Sequence, residues 1–191
     1  MTTVHDATRA SLLRSFDAPV MLNTVRSAYV EAQVGVLLRD RWRHVGQWDG
    51  WDYETGEGAE LIRLEVKAGA AKQVWKQKAP SVCSFDVKPR TGYYRAGAEW
   101  VEGVGRNADL YVLAWHPGYD DVDQRDEGQW VYYVVATKEL PESQRVGLAR
   151  LDALVHEGRA RCVGASELHD AANAVAAEIL ISRSEVSRSQ T

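Results

Sequence analysis

The sequence predicts an α/β protein in which helices flank a central mixed β-sheet. An apolar repeat with helical spacing precedes residue 40, a segment that alternates apolar and polar residues covers 61–67, and two almost continuous apolar segments follow at 108–115 and 130–137. The alternating segment indicates a half-buried strand, and the continuous segments indicate central strands that are covered on both faces. With the segments between them, the core order is α-β-β-β-α-β.

The 191 residues are enough for one domain with a hydrophobic core. We expect an N-terminal arm over residues 1–18, a single domain over 19–181 and a disordered polar tail over 182–191. No apolar segment approaches the roughly 20 residues of a membrane span, and the N-terminal residues lack the apolar core of a signal peptide. We therefore expect a cytoplasmic protein that makes no membrane contact.

The first helix is predicted over residues 20–39. Its apolar residues follow the i, i+3, i+4, i+7, i+11 spacing of one helical face and are predicted to pack on the core: Val25, Ala28, Tyr29, Ala32 and Val36. Glu31 lies about 60° from Ala28 on a helical wheel, at the margin of that stripe. Its carboxylate is therefore expected at the edge of the core rather than in free solvent.

Three strands are predicted to follow the helix. Aromatic residues favour short strands over 41–47 and 48–54, and Thr55-Gly56-Glu57-Gly58 has the composition of a turn before a third strand over 61–67. In the third strand Ile62, Leu64 and Val66 share the buried face, so Glu65 and Lys67 share the opposite face.

A second helix is predicted over residues 68–78, because this segment contains Ala, Lys and Gln with few breakers and ends before Pro80. It would place Gln73 and Gln77 on one face. A strand over 81–87 follows, and two further helices are predicted over 148–155 and 166–181.

Glu65-Val66-Lys67 is the segment with the clearest chemical implication. A carboxylate and an ammonium group two residues apart on a strand point to the same face, roughly 6 to 7 Å apart. Asp52, on the preceding strand across the turn, can add a second carboxylate to them. Two carboxylates and a lysine are the minimum set for metal-assisted cleavage of a phosphodiester bond.

The residues at 48–52 (WDGWD) and at 62–75 (IRLEVKAGAAKQVW) carry a resemblance to a known superfamily. In this element order they resemble the PD-(D/E)XK nucleases, and in particular a group of small bacterial stand-alone proteins with a restriction endonuclease-like core. The pattern of that group is close to W-x-x-[WY]-D followed by I-E-V-K-[ST]-[SA]-x-x-x-Q-x-W. This chain differs in having Ala68 where the group has a small hydroxyl residue, and in a longer turn, which leaves Asp49 as an alternative to Asp52.

The resemblance implies a Mg²⁺-dependent DNA endonuclease of restriction or anti-invader type, in which Mn²⁺ can substitute for Mg²⁺. Asp52 and Glu65 would bind the metal directly, and the Val66 carbonyl would be a third oxygen ligand. Lys67 would orient or deprotonate the attacking water, or stabilise the phosphate in the transition state.

Three further residues receive catalytic roles from the same resemblance. Glu31 would reach the metal directly or through water, and Gln73 or Gln77 would reach the scissile phosphate or a metal-bound water. The residues alone also allow simpler roles: an ion pair at the helix edge for Glu31 and a solvent-facing helix pair for the two glutamines.

Charge is distributed unevenly along a chain whose net charge is −4. Residues 67–95 contain seven cations and one anion, whereas 120–127 contain five acids and one arginine. The basic segment is either a solvated surface or a polyanion-binding face, and the second reading assigns DNA contacts to Lys72, Lys76, Arg90 and Arg95.

Because one such metal centre cuts one strand, cleavage of a duplex suggests a homodimer or successive nicking. The alternative function is a catalytically silent module on the same fold that binds nucleic acid or another protein.

Overall fold

The computed structural model describes residues 3–46, 49–95 and 99–189. Within these ranges it has four α-helices: α1 (Val4–Arg14), α2 (Asn23–Leu38), α3 (Leu148–His156) and α4 (Leu168–Ser189). The first five strands are β1 (Arg43–His44), β2 (Tyr53–Thr55), β3 (Ile62–Ala70), β4 (Ser84–Asp86) and β5 (Arg90–Arg95). The others are β6 (Glu99–Gly105), β7 (Leu110–His116), β8 (Val131–Ala136), β9 (Arg145–Gly147) and β10 (Ala160–Val163).

Six strands form one mixed sheet in the order β1-β2-β3-β7-β8-β10. β3 and β7 run parallel, with Leu64 opposite Leu110, and the other neighbours are antiparallel. β4 pairs with β9, and β5 pairs with β6, in separate two-stranded sheets. The prediction of a central mixed sheet is confirmed.

Each face of the sheet carries its own hydrophobic core. Alternate residues of β3 and β7 pack against α2 and α4, and the other β7 residues pack with α3, β4 and β9. This alternation follows from the period of two along a strand. Helices therefore flank the sheet on both faces, as predicted.

The face of α2 that packs on the core differs from the predicted one. Val30, Val34 and Leu38 are fully buried, whereas Ala28, Ala32 and Val36 from the predicted stripe are exposed. The valines and the leucine bury more apolar surface than the alanines do, so packing favours their face. As a result, a stripe of small apolar residues faces away from the core.

Residues 68–78 do not form the predicted helix. β3 continues along β7 until Ala70 lies opposite His116, and residues 71–83 are irregular. Pairing with a central strand outweighs the helix propensity of these residues. The predicted core order is therefore wrong at this element, because the described chain has no helix between β3 and β7.

Helices occupy both ends of the described chain. The N-terminal arm includes α1, which buries none of its residues. α4 continues through the predicted tail as far as Ser189, since Arg183 donates hydrogen bonds to the Leu61 carbonyl and to Asp109. Residues 190 and 191 lie outside the described ranges. Among the described helices, none has the length and apolar character needed to cross a bilayer.

Candidate active site

The register between β2 and β3 brings the two predicted acidic ligands together. Tyr53 lies opposite Leu64 and Thr55 opposite Ile62, so the same register places Asp52 beside Glu65. Asp49 lies three residues further from the paired strand and close to Gly46. Of the two aspartates considered from the sequence, Asp52 is the one at the expected position.

Backbone hydrogen bonds fix the Asp52 carboxylate on β3. The Arg63 amide donates to Asp109 Oδ2, and the Arg63 carbonyl accepts from the Asp109 amide, so both backbone groups of Arg63 face the β7 side. The backbone of Leu64 and Val66 therefore faces β2, because successive residues of a strand alternate in direction. Leu64 accepts a hydrogen bond from the Asp52 amide at 3.0 Å, and the Val66 amide donates to Asp52 Oδ2 at 2.7 Å. The Val66 carbonyl consequently lies on the Asp52 side of the strand.

Glu65 and Lys67 lie on one face of β3, as their spacing predicts. The Lys67 ammonium group pairs with Glu65 Oε1, and both side chains are mostly shielded from solvent. The carboxylate and the amine of the predicted centre are thus in direct contact.

The Asp52 carboxyl has a strongly perturbed pKa. Burial, and then the negative charge of Glu65, raise the pKa of Asp52 to about 7. That net pKa also includes a smaller upward contribution from the charge of Glu31 and downward contributions from the Val66 hydrogen bond and the charge of Lys67. These four side chains, Glu31, Asp52, Glu65 and Lys67, therefore interact as one charged group, which we call the acidic cluster.

Contacts with His44 and Tyr53, which were not predicted from the sequence, hold Glu31 of α2 beside the rest of the acidic cluster. Glu31 Oε1 bonds His44 Nε2 at 2.9 Å, and the Tyr53 hydroxyl donates to the Glu31 carbonyl at 2.9 Å. The His44 and Tyr53 rings meet edge to face, 5.2 Å apart. Gly35 permits this packing, because a Cβ there would overlap the Tyr53 hydroxyl. β1 contains only two residues, which is too short for a strand pattern to reveal His44.

An open cleft of about 890 Å³ lies beside the acidic cluster. It is lined by the exposed stripe of α2 and by residues that follow the helix: Arg39, Asp40, Trp42, His44, Asp52 and Tyr53. Glu31 and Asp52 belong both to the cleft and to the acidic cluster. We call this cavity the α2 cleft.

Gln73 and Gln77 hold the loop that follows β3. Gln73 is buried, donates to the Ala70 carbonyl at 2.6 Å and accepts from Arg26 at 3.2 Å. Gln77 accepts from the Gln73 amide at 2.7 Å and donates to the Ala71 carbonyl at 3.0 Å. These bonds replace the predicted helix with a loop fixed by its own side chains.

The predicted DNA-binding cations lie in different surroundings. Lys76 is exposed, and the Lys72 ammonium group lies over the Tyr119 ring, 4.3 Å from its centre. Arg90 pairs with Asp86 at 3.8 Å, and Arg95 pairs with Glu99 at 3.6 Å. β6 thus brings an acid beside the basic segment, which reduces its positive charge.

Trp51 connects the motif to the β5–β6 hairpin. Its ring lies 5.4 Å from that of Tyr93, the Arg63 guanidinium lies over it at 4.4 Å, and its Nε1 donates to Glu54. Trp51 is buried and packs in the hydrophobic core on the face of the sheet that carries α3. Of the other two motif tryptophans, Trp75 is exposed and Trp48 lies outside the described residues.

The oxygen atoms of the acidic cluster and of the neighbouring backbone fit a hard divalent cation in kind. Asp52, Glu65 and the Val66 carbonyl are the ligand types that Mg²⁺ prefers, and the proximity of two carboxylates raises the pKa of one of them. Within residues 3–46, 49–95 and 99–189, however, no three His, Cys, Asp or Glu side chains are grouped closely enough to hold a metal ion by themselves.

The fold and site define a mixed α/β protein with an acidic cluster on β3, beside the start of β2. In comparisons with known proteins, no family model, no curated protein and no solved structure matches the chain.

Proposed function

We propose that this protein is a Mg²⁺-dependent phosphodiesterase that cleaves DNA, an endonuclease of restriction or anti-invader type with a PD-(D/E)XK centre. The observation that supports it most is the position of Asp52 beside Glu65, with Lys67 in contact with Glu65. Metal-assisted cleavage of a phosphodiester uses oxygen ligands such as these carboxylates to hold its cation, which supports the proposal.

Asp52, Glu65 and the Val66 carbonyl would hold the metal. A bound Mg²⁺, or Mn²⁺ in its place, supplies positive charge to the phosphate and lowers the pKa of a bound water. The Val66 amide keeps the Asp52 carboxylate oriented through its hydrogen bond. Lys67 would exchange its contact with Glu65 for one with the attacking water or the phosphate. Glu31 would add negative charge from α2, directly or through water.

DNA is the proposed substrate. Lys72, Lys76, Arg90 and Arg95 are the cations proposed to contact its backbone, and Lys76, which is exposed, is the simplest to test. A homodimer, or two successive nicks, would account for cleavage of both strands.

Cleavage of supercoiled plasmid with and without Mg²⁺ tests this proposal. Asp52→Ala and Lys67→Ala should each retain the fold, as judged by circular dichroism, and reduce cutting by about 10²-fold or more. Asp49→Ala is the matched control, since it removes the alternative aspartate and should leave cutting intact. Cutting that survives the first two changes would remove the proposed centre, and loss only in Asp49→Ala would transfer the metal-ligand role to Asp49.

The second candidate is a catalytically silent module that binds nucleic acid or another protein. The ion pair between Glu65 and Lys67 favours it, because that pair satisfies both charges without a metal. Calorimetric titration separates the two candidates. Binding of Mg²⁺ or Mn²⁺ in the millimolar range supports the nuclease, whereas DNA binding without any metal binding supports the module.

A further inference from the structure

The α2 cleft has the size and position of a ligand site. Its volume of about 890 Å³ lies within the range of roughly 300–1,000 Å³ that small-molecule sites occupy. It shares Glu31 and Asp52 with the acidic cluster, so a ligand in the cleft would lie next to the bond that the proposed nuclease cuts.

The lining of the cleft suits a flat ring. Ala28 and Ala32 present small side chains on α2. His44 contributes an exposed ring, whereas the Tyr53 ring is buried, with its hydroxyl against Gly35. Small residues beside an exposed aromatic ring leave room for a planar heterocycle to stack on that ring.

The His44 ring is fixed before any ligand arrives. Glu31 Oε1 holds its Nε2 at 2.9 Å, and the Tyr53 ring meets it at an interplanar angle of 63°. The Tyr53 ring is in turn held by its hydroxyl on the Glu31 carbonyl. About half of the His44 side chain (48%) nevertheless remains exposed. A fixed, half-exposed ring is a ready stacking surface, because little conformational entropy is lost on binding.

The charge of the cleft argues against a phosphate as its occupant. Glu31, Asp40 and Asp52 contribute three carboxylates, and Arg39 is the cation among the lining residues. A phosphate would be repelled by this excess of negative charge, whereas the amino and imino groups of a nucleobase can donate hydrogen bonds to carboxylates.

We propose that the α2 cleft holds one unstacked nucleobase of the substrate, stacked on His44, while the adjoining phosphate lies at the divalent cation that Asp52 and Glu65 would hold. This inference rests on the proposed function and specifies its substrate. The substrate is DNA that presents an unpaired nucleotide, either single-stranded or locally opened.

The test measures binding with Ca²⁺ in place of Mg²⁺, because Ca²⁺ also binds carboxylate oxygens and neutralises them but activates a bound water poorly, so that binding is read without cleavage. The probes are a short labelled oligothymidylate and a sugar-phosphate oligomer of the same length without bases, compared by fluorescence anisotropy. The variants are His44→Ala, His44→Phe and the control His5→Ala, which removes an exposed histidine of α1. Phe keeps a stacking ring but cannot bond Glu31.

The wild type and His5→Ala should bind the oligothymidylate more tightly than the base-free oligomer. His44→Ala should lose about tenfold in affinity for the oligothymidylate and His44→Phe should recover it. Equal binding of the two probes by the wild type, or a His44→Phe protein as weak as His44→Ala, would overturn the inference.

The inference and the proposed function fail in different ways. Plasmid cutting that depends on Mg²⁺ and Asp52, together with no dependence on His44 or on bases, removes the nucleobase site and keeps the nuclease. Base-dependent binding that requires a ring at position 44, together with no cutting on any DNA, keeps the nucleobase site and removes the nuclease.

Discussion

Replacing Asp52 by Asn should stabilise the metal-free protein at neutral and higher pH. Asn keeps the shape of the side chain and can still accept the hydrogen bond from the Val66 amide, but it carries no charge beside Glu65. The change therefore removes the repulsion between the two carboxylates and the cost of burying a charge, and it retains the hydrogen bond from Val66.

The magnitude follows from the pKa of Asp52, which the fold raises from 3.8 to about 7. Each unit of pKa corresponds to about 1.4 kcal/mol, which gives about 4 kcal/mol for the ionised group. Asp52 is partly exposed, so screening by solvent reduces the expected gain to about 2 kcal/mol.

The pH dependence has a definite sign. Below pH 3.8 the carboxyl is protonated in the folded and unfolded states, and above about pH 7 it is ionised in both. The wild type should therefore lose stability, relative to the Asn variant, as the pH rises from about 4 to about 7. Below that window the two proteins should be equally stable, and above it the difference should stay constant.

Urea unfolding in EDTA, followed by tryptophan fluorescence across this pH range, measures the difference. The exposed Asp120→Asn is the matched control and should show no such pH dependence. Added Mg²⁺ should narrow the gap by stabilising the wild type alone. An Asn variant that is less stable than the wild type at pH 8 would refute the reasoning.

Three further changes test other parts of the structure. Gly35→Ala should destabilise the protein by about 1–3 kcal/mol, since the new Cβ overlaps a tyrosine hydroxyl, whereas Gly164→Ala has open space and should be neutral in thermal unfolding. Arg39→Gly should raise the free energy of unfolding by about 1 kcal/mol, because φ is 60° and ψ is −167° at Arg39, a backbone conformation that glycine adopts more easily. Asp121→Gly, at φ 51°, should raise the free energy of unfolding by less, because Asp tolerates the left-handed region. Equal increases in the two variants would contradict the explanation. Arg183→Ala should speed amide hydrogen exchange across residues 182–189, and unchanged exchange would show that its hydrogen bonds do not hold that segment.

The sequence predicted the sheet, and the shared face of two charged side chains on β3, where the local pattern is strong. The alternation in β3 determines which side chains face the core, so the shared face of Glu65 and Lys67 was predictable. The position of Asp52 was harder to predict, because it depends on the number of residues in the turn before β3.

The remaining errors have a common cause in long-range packing. Two faces of α2 are apolar, and only the fit against the sheet decides that Val30 and Val34 are buried while Ala32 is not. Residues 71–83 contain good helix formers, but β7 holds the preceding strand extended and Gln73 then bonds the loop.

The parallel pairing of β3 with β7 also determines when the acidic cluster can form during folding. Asp52 and Glu65 are close in the chain, but an isolated two-stranded hairpin is marginally stable in water. The β2–β3 pair becomes stable only when β3 pairs with β7, where Leu64 lies opposite Leu110. This pairing closes a long loop of chain, and the entropy lost in closing the loop makes the step slow. A nascent chain that has not yet released β7 from the ribosome therefore lacks a stable acidic cluster.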